Sequence, residues 1–267
     1  MSAYAFECVP LPVVRSRAKP RKSGLTMVMD WGEPLGALED FLALNAPIVD
    51  LAKLVVGTAR FYPEPYLREK LALYRRHAVR PFLGGQFLEY VFGTQGWAGV
   101  GPFLAEARRL GLEAIEVSDN CVPLTDAERA RMIRLAQEAG LEAHGEVGSK
   151  TVKQDVADLV RQAEVCFRAG CEIVLVEAAE IAPGGEPNRA LIRAVRERLD
   201  VSRVLFELPG WWIKDTATSD VFELQKLLIA EFGPDANIAN VQPYMLFNLE
   251  ALRCGLSVFG PSARGQP

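Results

Sequence analysis

The stretch LEAHGEVGSKTVKQDVADLVRQAEVCFRAGCEIVLVEA (Leu141–Ala178) decides the fold. Its opening, Leu141–Gly148, is a short apolar run bounded by glycine, the pattern of a buried strand. Asp155–Gly170 follows as an amphipathic stretch whose last residue is suited to close a helix in the left-handed conformation. Glu172–Ala178, EIVLVEA, is a second strand. Strand, helix and strand so closely spaced make one parallel βαβ unit.

The same alternation extends outward in both directions. Upstream lie LTMVMD (Leu25–Asp30), PIVDLAKLV (Pro47–Val55), VRPFLGG (Val79–Gly85) and EAIEVS (Glu113–Ser118). Downstream lie RVLFEL (Arg203–Leu208) and ANIANV (Ala236–Val241). Helical patterns separate them. Leu67, Leu71 and Tyr74 share one face, and Thr125 with Glu128 forms a capping box ahead of a helix that ends near Gly140. Eight such units with no break in composition predict one α/β domain, a single (β/α)8 TIM barrel. A doubly wound sheet is the alternative, but it needs about six strands and a reversal point. The expected limits are an N-terminal arm over 1–18, the barrel over 19–256 and a tail over 257–267.

Composition narrows the function. The 267 residues are 49% hydrophobic and 24% charged, as in an ordinary globular chain. A net charge of −4 leaves no basic field for nucleic acid. No stretch is long and apolar enough for a signal sequence or a membrane span, so the expectation is a cytoplasmic protein. Five cysteines without a CxxC pair read as free, buried thiols. Only two histidines are present, His77 and His144, which argues against zinc. His144 reads better as a core residue than as a catalytic one.

Barrels of this kind carry their chemistry at the strand C-termini. There the sequence puts Asp30, Lys53, Gly84-Gly85-Gln86, Glu116, Ser118, Asp119, Glu146, Lys150, Glu177, Glu180, Glu207 and Asn240. A solvated or ion-paired loop explains any one of these acids. It does not explain their convergence, because buried charge is costly unless paired or metal-bound. A Mg2+-type site with lysines facing an anionic substrate fits the set. Trp211-Trp212 reads equally as a pocket lid or an interface. Gly84-Gly85 reads equally as a ligand approach or a tight turn.

These segments resemble the phosphosulfolactate synthase family. The resemblance runs in order from KPRKSGLTMVMDWG (Lys19–Gly32) through VDLAKLVVGT (Val49–Thr58), LGGQFLE (Leu83–Glu89), EAIEVSDN (Glu113–Asn120) and GEVGSK (Gly145–Lys150). It continues through RAGCEIVLVEAAE (Arg168–Glu180), FELP, NIANV and LEALRCGL (Leu249–Leu256). It implies a Mg2+-dependent carbon–sulfur lyase that adds sulfite to phosphoenolpyruvate on a route to coenzyme M. It also implies small anionic substrates and a homo-oligomer such as a trimer. On this resemblance Lys150, Lys53 and Glu116 are the expected catalytic residues. Lys19, Arg21, Gly84, Gly85, Gln86, Ser118 and Asn240 are expected to bind substrate, and Asp30, Glu146, Glu177 and Glu207 the metal.

The chain departs from the family pattern after strands six, seven and eight, where a phosphate would be held. Ala179 stands for an arginine, Gly210-Trp211-Trp212-Ile213-Lys214 follows FELP where the family carries a lysine and two glutamines, and Ala239 stands for a glycine; elsewhere Asn120 stands for another glycine. Two readings therefore stand beside the strict synthase. One is a lyase of the same kind with an altered substrate. The other is a non-catalytic, ligand-binding barrel similar to the plant heat-stress-associated relatives.

Overall fold

The computed structural model describes residues 5–15, 18–149 and 153–257. Lys150 and the tail from 258 onward, both subjects of expectations above, lie outside the described residues. Eight parallel strands close a barrel in sequence order. They are β1 (Thr26–Asp30), β2 (Leu51–Leu54), β3 (Arg80–Leu83), β4 (Ala114–Val117), β5 (Glu142–Val147), β6 (Val174–Val176), β7 (Val204–Glu207) and β8 (Ile238–Val241). Each falls inside an expected run. The strands are short and almost entirely buried because helices cover the outside while side chains fill the inside.

Alternation along each strand sorts the faces. Met27, Leu51, Phe82, Ala114, Leu175 and Leu205 form an apolar layer inside the barrel. Two residues further on, toward the strand C-termini, the inward positions become Lys53, Glu116, Glu177 and Glu207. In β5 the step runs from His144 to Glu146. His144 packs edge-on against Phe82, and its Nε2 lies 2.6 Å from Glu142 Oε1. It is a core residue, as its position suggested.

The outer layer is built by the signals read from sequence. Thr125 and Glu128 cap the helix Asp126–Glu138 reciprocally. Gly170 closes the helix Val156–Ala169 at a φ of 104°, where a side chain would be strained. Cys166, Cys171 and Cys254 are buried free thiols, whereas Cys8 and Cys121 are exposed, contrary to the expectation for all five.

The strand N-terminal end forms a floor tied by cations. Lys19 Nζ donates to the carbonyls of Ala46, Val49 and Ala78. Arg21 pairs with Asp50 at 2.8 Å and also donates to Pro47 O. Arg15, in the N-terminal arm, is buried and bonded to Gly24 O, Asp235 and Glu250. Among the described residues no helix is long and apolar enough to cross a membrane.

Candidate active site

A cavity of about 140 Å3 opens at the strand C-terminal end. Lys53 of β2 forms its base, with its ammonium 2.7 Å from Glu116, 3.1 Å from Glu207 and 3.8 Å from Glu146. All three carboxylates are buried, and one oxygen from each lies within 4.8 Å of the others. Burial pulls the Lys53 ammonium down, but Glu116, Glu207 and Glu146 outweigh it and hold Lys53 well above the usual lysine range. One lysine cannot satisfy three buried acids. Burial, opposed by Lys53 and reinforced by Glu146 and Glu207, pushes the Glu116 carboxyl well above its ordinary value, and Glu116 hydrogen-bonds to Glu146.

The backbone aims these groups. Gly85 N–H donates to Glu116 Oε1 at 2.9 Å, where the helix Gly85–Gln95 begins. A Cβ on Gly85 would stand 2.2 Å from Ser118 Oγ and 3.1 Å from Glu116 Oε1, so only glycine permits this contact. The close approach is therefore to the protein's own carboxylate. Asn120 Nδ2 donates to Glu146 Oε1 at 2.5 Å. Ser118 Oγ, behind Gly85, donates to Glu89, which also accepts from the backbone N–H of Cys121 and Val122. Glu89 thus shapes the loop that presents Asn120.

The expected residues divide into those at the mouth and those elsewhere. Lys53, Gly84, Gly85, Gln86, Glu116, Glu146 and Asn240 line the cavity, and Glu207 joins them through Lys53. Asp30 does not. It lies on the outward parity of β1, 2.7 Å from Lys70 and 2.8 Å from Tyr74, and it also accepts from Gly32 and Glu33 N–H. An outward carboxylate already holding four donors is a strand–helix anchor, which corrects its expected metal role. Lys19 and Arg21 belong to the floor at the opposite end, which corrects their expected role in substrate binding. Glu177 is buried in the inward row but accepts from Ala179 N–H as a helix cap, outside the three-carboxylate group. Asp119 pairs with Arg129 at 2.6 Å. Glu180 accepts from Ser149 N and Gln154 N, on either side of the residues around Lys150.

Sequence reasoning did not single out Met29, Trp31, Val55 and Val56, which complete the cavity wall with Trp212. Trp31 meets Trp211 and Trp212 at ring separations of 5.0 and 5.8 Å. This answers the earlier ambiguity for Trp212, which walls the pocket, while Trp211 is 75% exposed. Val56 and Asn240 have φ of 46° and 57°, values that asparagine tolerates and a β-branched residue avoids. The strained backbone of Val56 thus lies at the cavity wall.

The donor set suits a hard divalent cation. Three carboxylates converge, and Asn240 Oδ1 is buried in the same cavity without a hydrogen-bond partner among the described residues. Glu116, expected as a catalytic group, thus clusters with Glu146 and Glu207, while Asp30 and Glu177 lie outside this cluster.

Fold and mouth together define a (β/α)8 barrel with a carboxylate-rich centre at its strand C-termini. Residues 15–258 match the family model described as (2R)-phospho-3-sulfolactate synthase (ComA), and the chain belongs to that family. It is 32% identical to the phosphosulfolactate synthase of Methanothermobacter thermautotrophicus, covering 96% of each chain. It is 28% identical to that of Bacillus subtilis over 89% of this chain and 92% of the relative. The Arabidopsis thaliana protein HEAT-STRESS-ASSOCIATED 32 is 22% identical, with coverage of 88% and 87%. Among solved structures, 3-hexulose-6-phosphate synthase from Salmonella typhimurium superposes with a TM-score of 0.55 at 12% identity, covering 86% of this chain and 98% of that one. That likeness speaks to the fold alone.

Proposed function

We propose that this chain catalyses the addition of a sulfur nucleophile, sulfite for its family, to the double bond of a small unsaturated carboxylate. The sulfur lone pair forms the C–S bond at the β-carbon. The displaced π pair moves onto the carboxylate as an enediolate, and a proton is then delivered to the α-carbon. No oxidant or reductant is required.

The observation that carries this reading is Lys53 held cationic at the base of the cavity by Glu116, Glu146 and Glu207. Its fixed charge is aimed where negative charge grows on the substrate carboxylate, and preorganised charge of this kind is the largest common source of rate acceleration. Glu116, Glu146, Glu207 and Asn240 would hold the divalent ion. When bound, that ion withdraws electron density from the same carboxylate oxygens. Gly85 N–H keeps Glu116 in position, and Asn120 does the same for Glu146. Lys150 is the proposed proton donor to the α-carbon. Trp31 and Trp212 exclude water from the enediolate.

The test supplies purified protein with Mg2+, 34S-labelled sulfite and a panel of enoates that includes phosphoenolpyruvate. A sulfonate product of the expected mass supports the reading. Protein that is folded and binds Mg2+ but forms no sulfonate from any acceptor refutes it, leaving a binding barrel.

A further inference from the structure

The helix Gly85–Gln95, which follows β3, begins at the cavity. Its N-cap Gly84 and its first residues Gly85 and Gln86 all line the wall, and Gly84 has no side chain to close the helix end. An α-helix leaves its first N–H groups without partners inside the helix, and its dipole places positive charge there. Gly85 N–H is taken by Glu116, and those of Gln86 and Phe87 come next. A Cβ on Gly84 would stand 3.1 Å from Leu54 O and 3.3 Å from Lys53 Cε, so the lysine stem lies directly against this end. The Gln86 carboxamide adds two more donors at the same place. It stands outside the three-carboxylate cluster.

The same cavity holds buried polar atoms with nothing to bond. Asn240 is 4% exposed, and its Oδ1 has no hydrogen-bond partner among the described residues; the same is true of Trp31 Nε1. Both residues line the cavity with Gln86. Buried polar atoms are nearly always bonded, so orphans of this kind call for a polar ligand. They lie on β8 and just beyond β1. In barrels the loops after strands seven and eight often receive the phosphate of a substrate. The helix end after β3 stands on the other side of β1 and β2, and it offers a second place for an oxyanion.

Resting on the addition reaction above, we propose that this helix end is the nucleophile subsite: the oxygens of sulfite accept from the first-turn N–H groups and from Gln86 Nε2. Sulfite is pyramidal, with its oxygens on one side and the sulfur lone pair on the other. A fan of N–H donors takes the oxygens and leaves the lone pair facing the cavity, toward the β-carbon of the acceptor. Binding uses no electron pair of sulfur. The C–S bond therefore forms from the bound anion, and the displaced π pair moves onto the acceptor carboxylate. Gln86 is the specificity-determining residue for the nucleophile, because a thiolate presents no oxygens to these donors.

Initial-rate kinetics on the full chain in saturating Mg2+ test this in wild type, Gln86→Leu and Gln86→Glu. The acceptor is phosphoenolpyruvate, or whichever enoate the sulfonate assay above identifies. Gln86→Leu removes the donors at similar size and should raise KM for sulfite at least about 10-fold, the scale of one hydrogen bond to a charged group. Gln86→Glu sets a negative charge against the anion and should raise it further. KM for the acceptor should stay within a factor of about 2 in both variants, since only the nucleophile loses a contact. Thermal melts confirm that both variants fold. A sulfite KM that is unchanged in both variants, or a rise confined to the acceptor, overturns the proposal. Wild type that forms sulfonate alongside such variants sinks only this subsite. Wild type that forms none from any acceptor sinks the addition reaction and the subsite with it.

Discussion

The two ends of the barrel are both rich in charge, yet they treat it in opposite ways. At the floor every prominent cation has its acceptors in place. Lys19 takes three carbonyls, Arg21 takes Asp50, and Arg80 lies between Glu142 and Glu172. At the mouth one lysine faces three buried acids, and an asparagine oxygen has no partner among the described residues. Buried charge is tolerated where it is paired or held for a ligand, and the two ends use it for these two purposes. The comparison teaches that charge density alone does not mark a site; carboxylates gathered around one cation at the edge of a cavity do.

The largest expected effect follows from removing the cation shared by the three carboxylates. Lys53→Met takes a buried positive charge away from Glu116, Glu146 and Glu207 and should cost toward the upper end of about 3–5 kcal/mol in urea unfolding without divalent cations. Added Mg2+ should restore part of the loss, and a variant as stable as wild type would erase the distinction between the ends. Asp30→Asn comes next. It strips the charge facing Lys70, a pair with no solvent exposure on either side chain, and should cost about 3 kcal/mol. Mg2+ affinity should not change in this variant, and a large decrease would return Asp30 to the metal site.

The smallest effect belongs to the floor. Burial works to raise the Glu142 carboxyl, but its hydrogen bond and charge pairing with His144 prevail and bring it down to about 2. A folded-state value below the ordinary 4.5 means that the stabilisation is present above pH 4.5 and lost as pH falls through 2. Glu142→Gln should therefore lower stability at neutral pH, modestly because the carboxyl is partly exposed, and flatten the decline over that acid window, variant and wild type converging as pH falls toward 2. An unchanged acid profile would show that the pair contributes nothing.

How much of this was legible in sequence depends on what periodicity can carry. The barrel was, because the strands fall in short β-rich runs and several helices, such as Val156–Ala169, end at a glycine. The inward acids were as well, since Glu116 and Glu207 stand two residues beyond Ala114 and Leu205 on the same strand face. Alternation also counted against Asp30, which shares the outward parity of Val28, but its position at a strand end masked this. Lys19 and Arg21 belong to a distinctive block of sequence, yet a distinctive motif says nothing about which end of the barrel it serves. The apolar wall was least visible. It depends on the backbone turning at Val56, and no spacing of residue types reports a positive φ.

Glu180 shows a different economy. Its carboxylate accepts from Ser149 N–H at 3.1 Å and from Gln154 N–H at 3.2 Å, so one side chain grips both feet of the loop after β5. Each of these bonds satisfies a backbone donor that has no strand or helix partner, and a buried donor left unmet would be costly. Because Glu180 itself belongs to the short helix after β6, the segment that follows β5 and the one that follows β6 are tied through a single carboxylate.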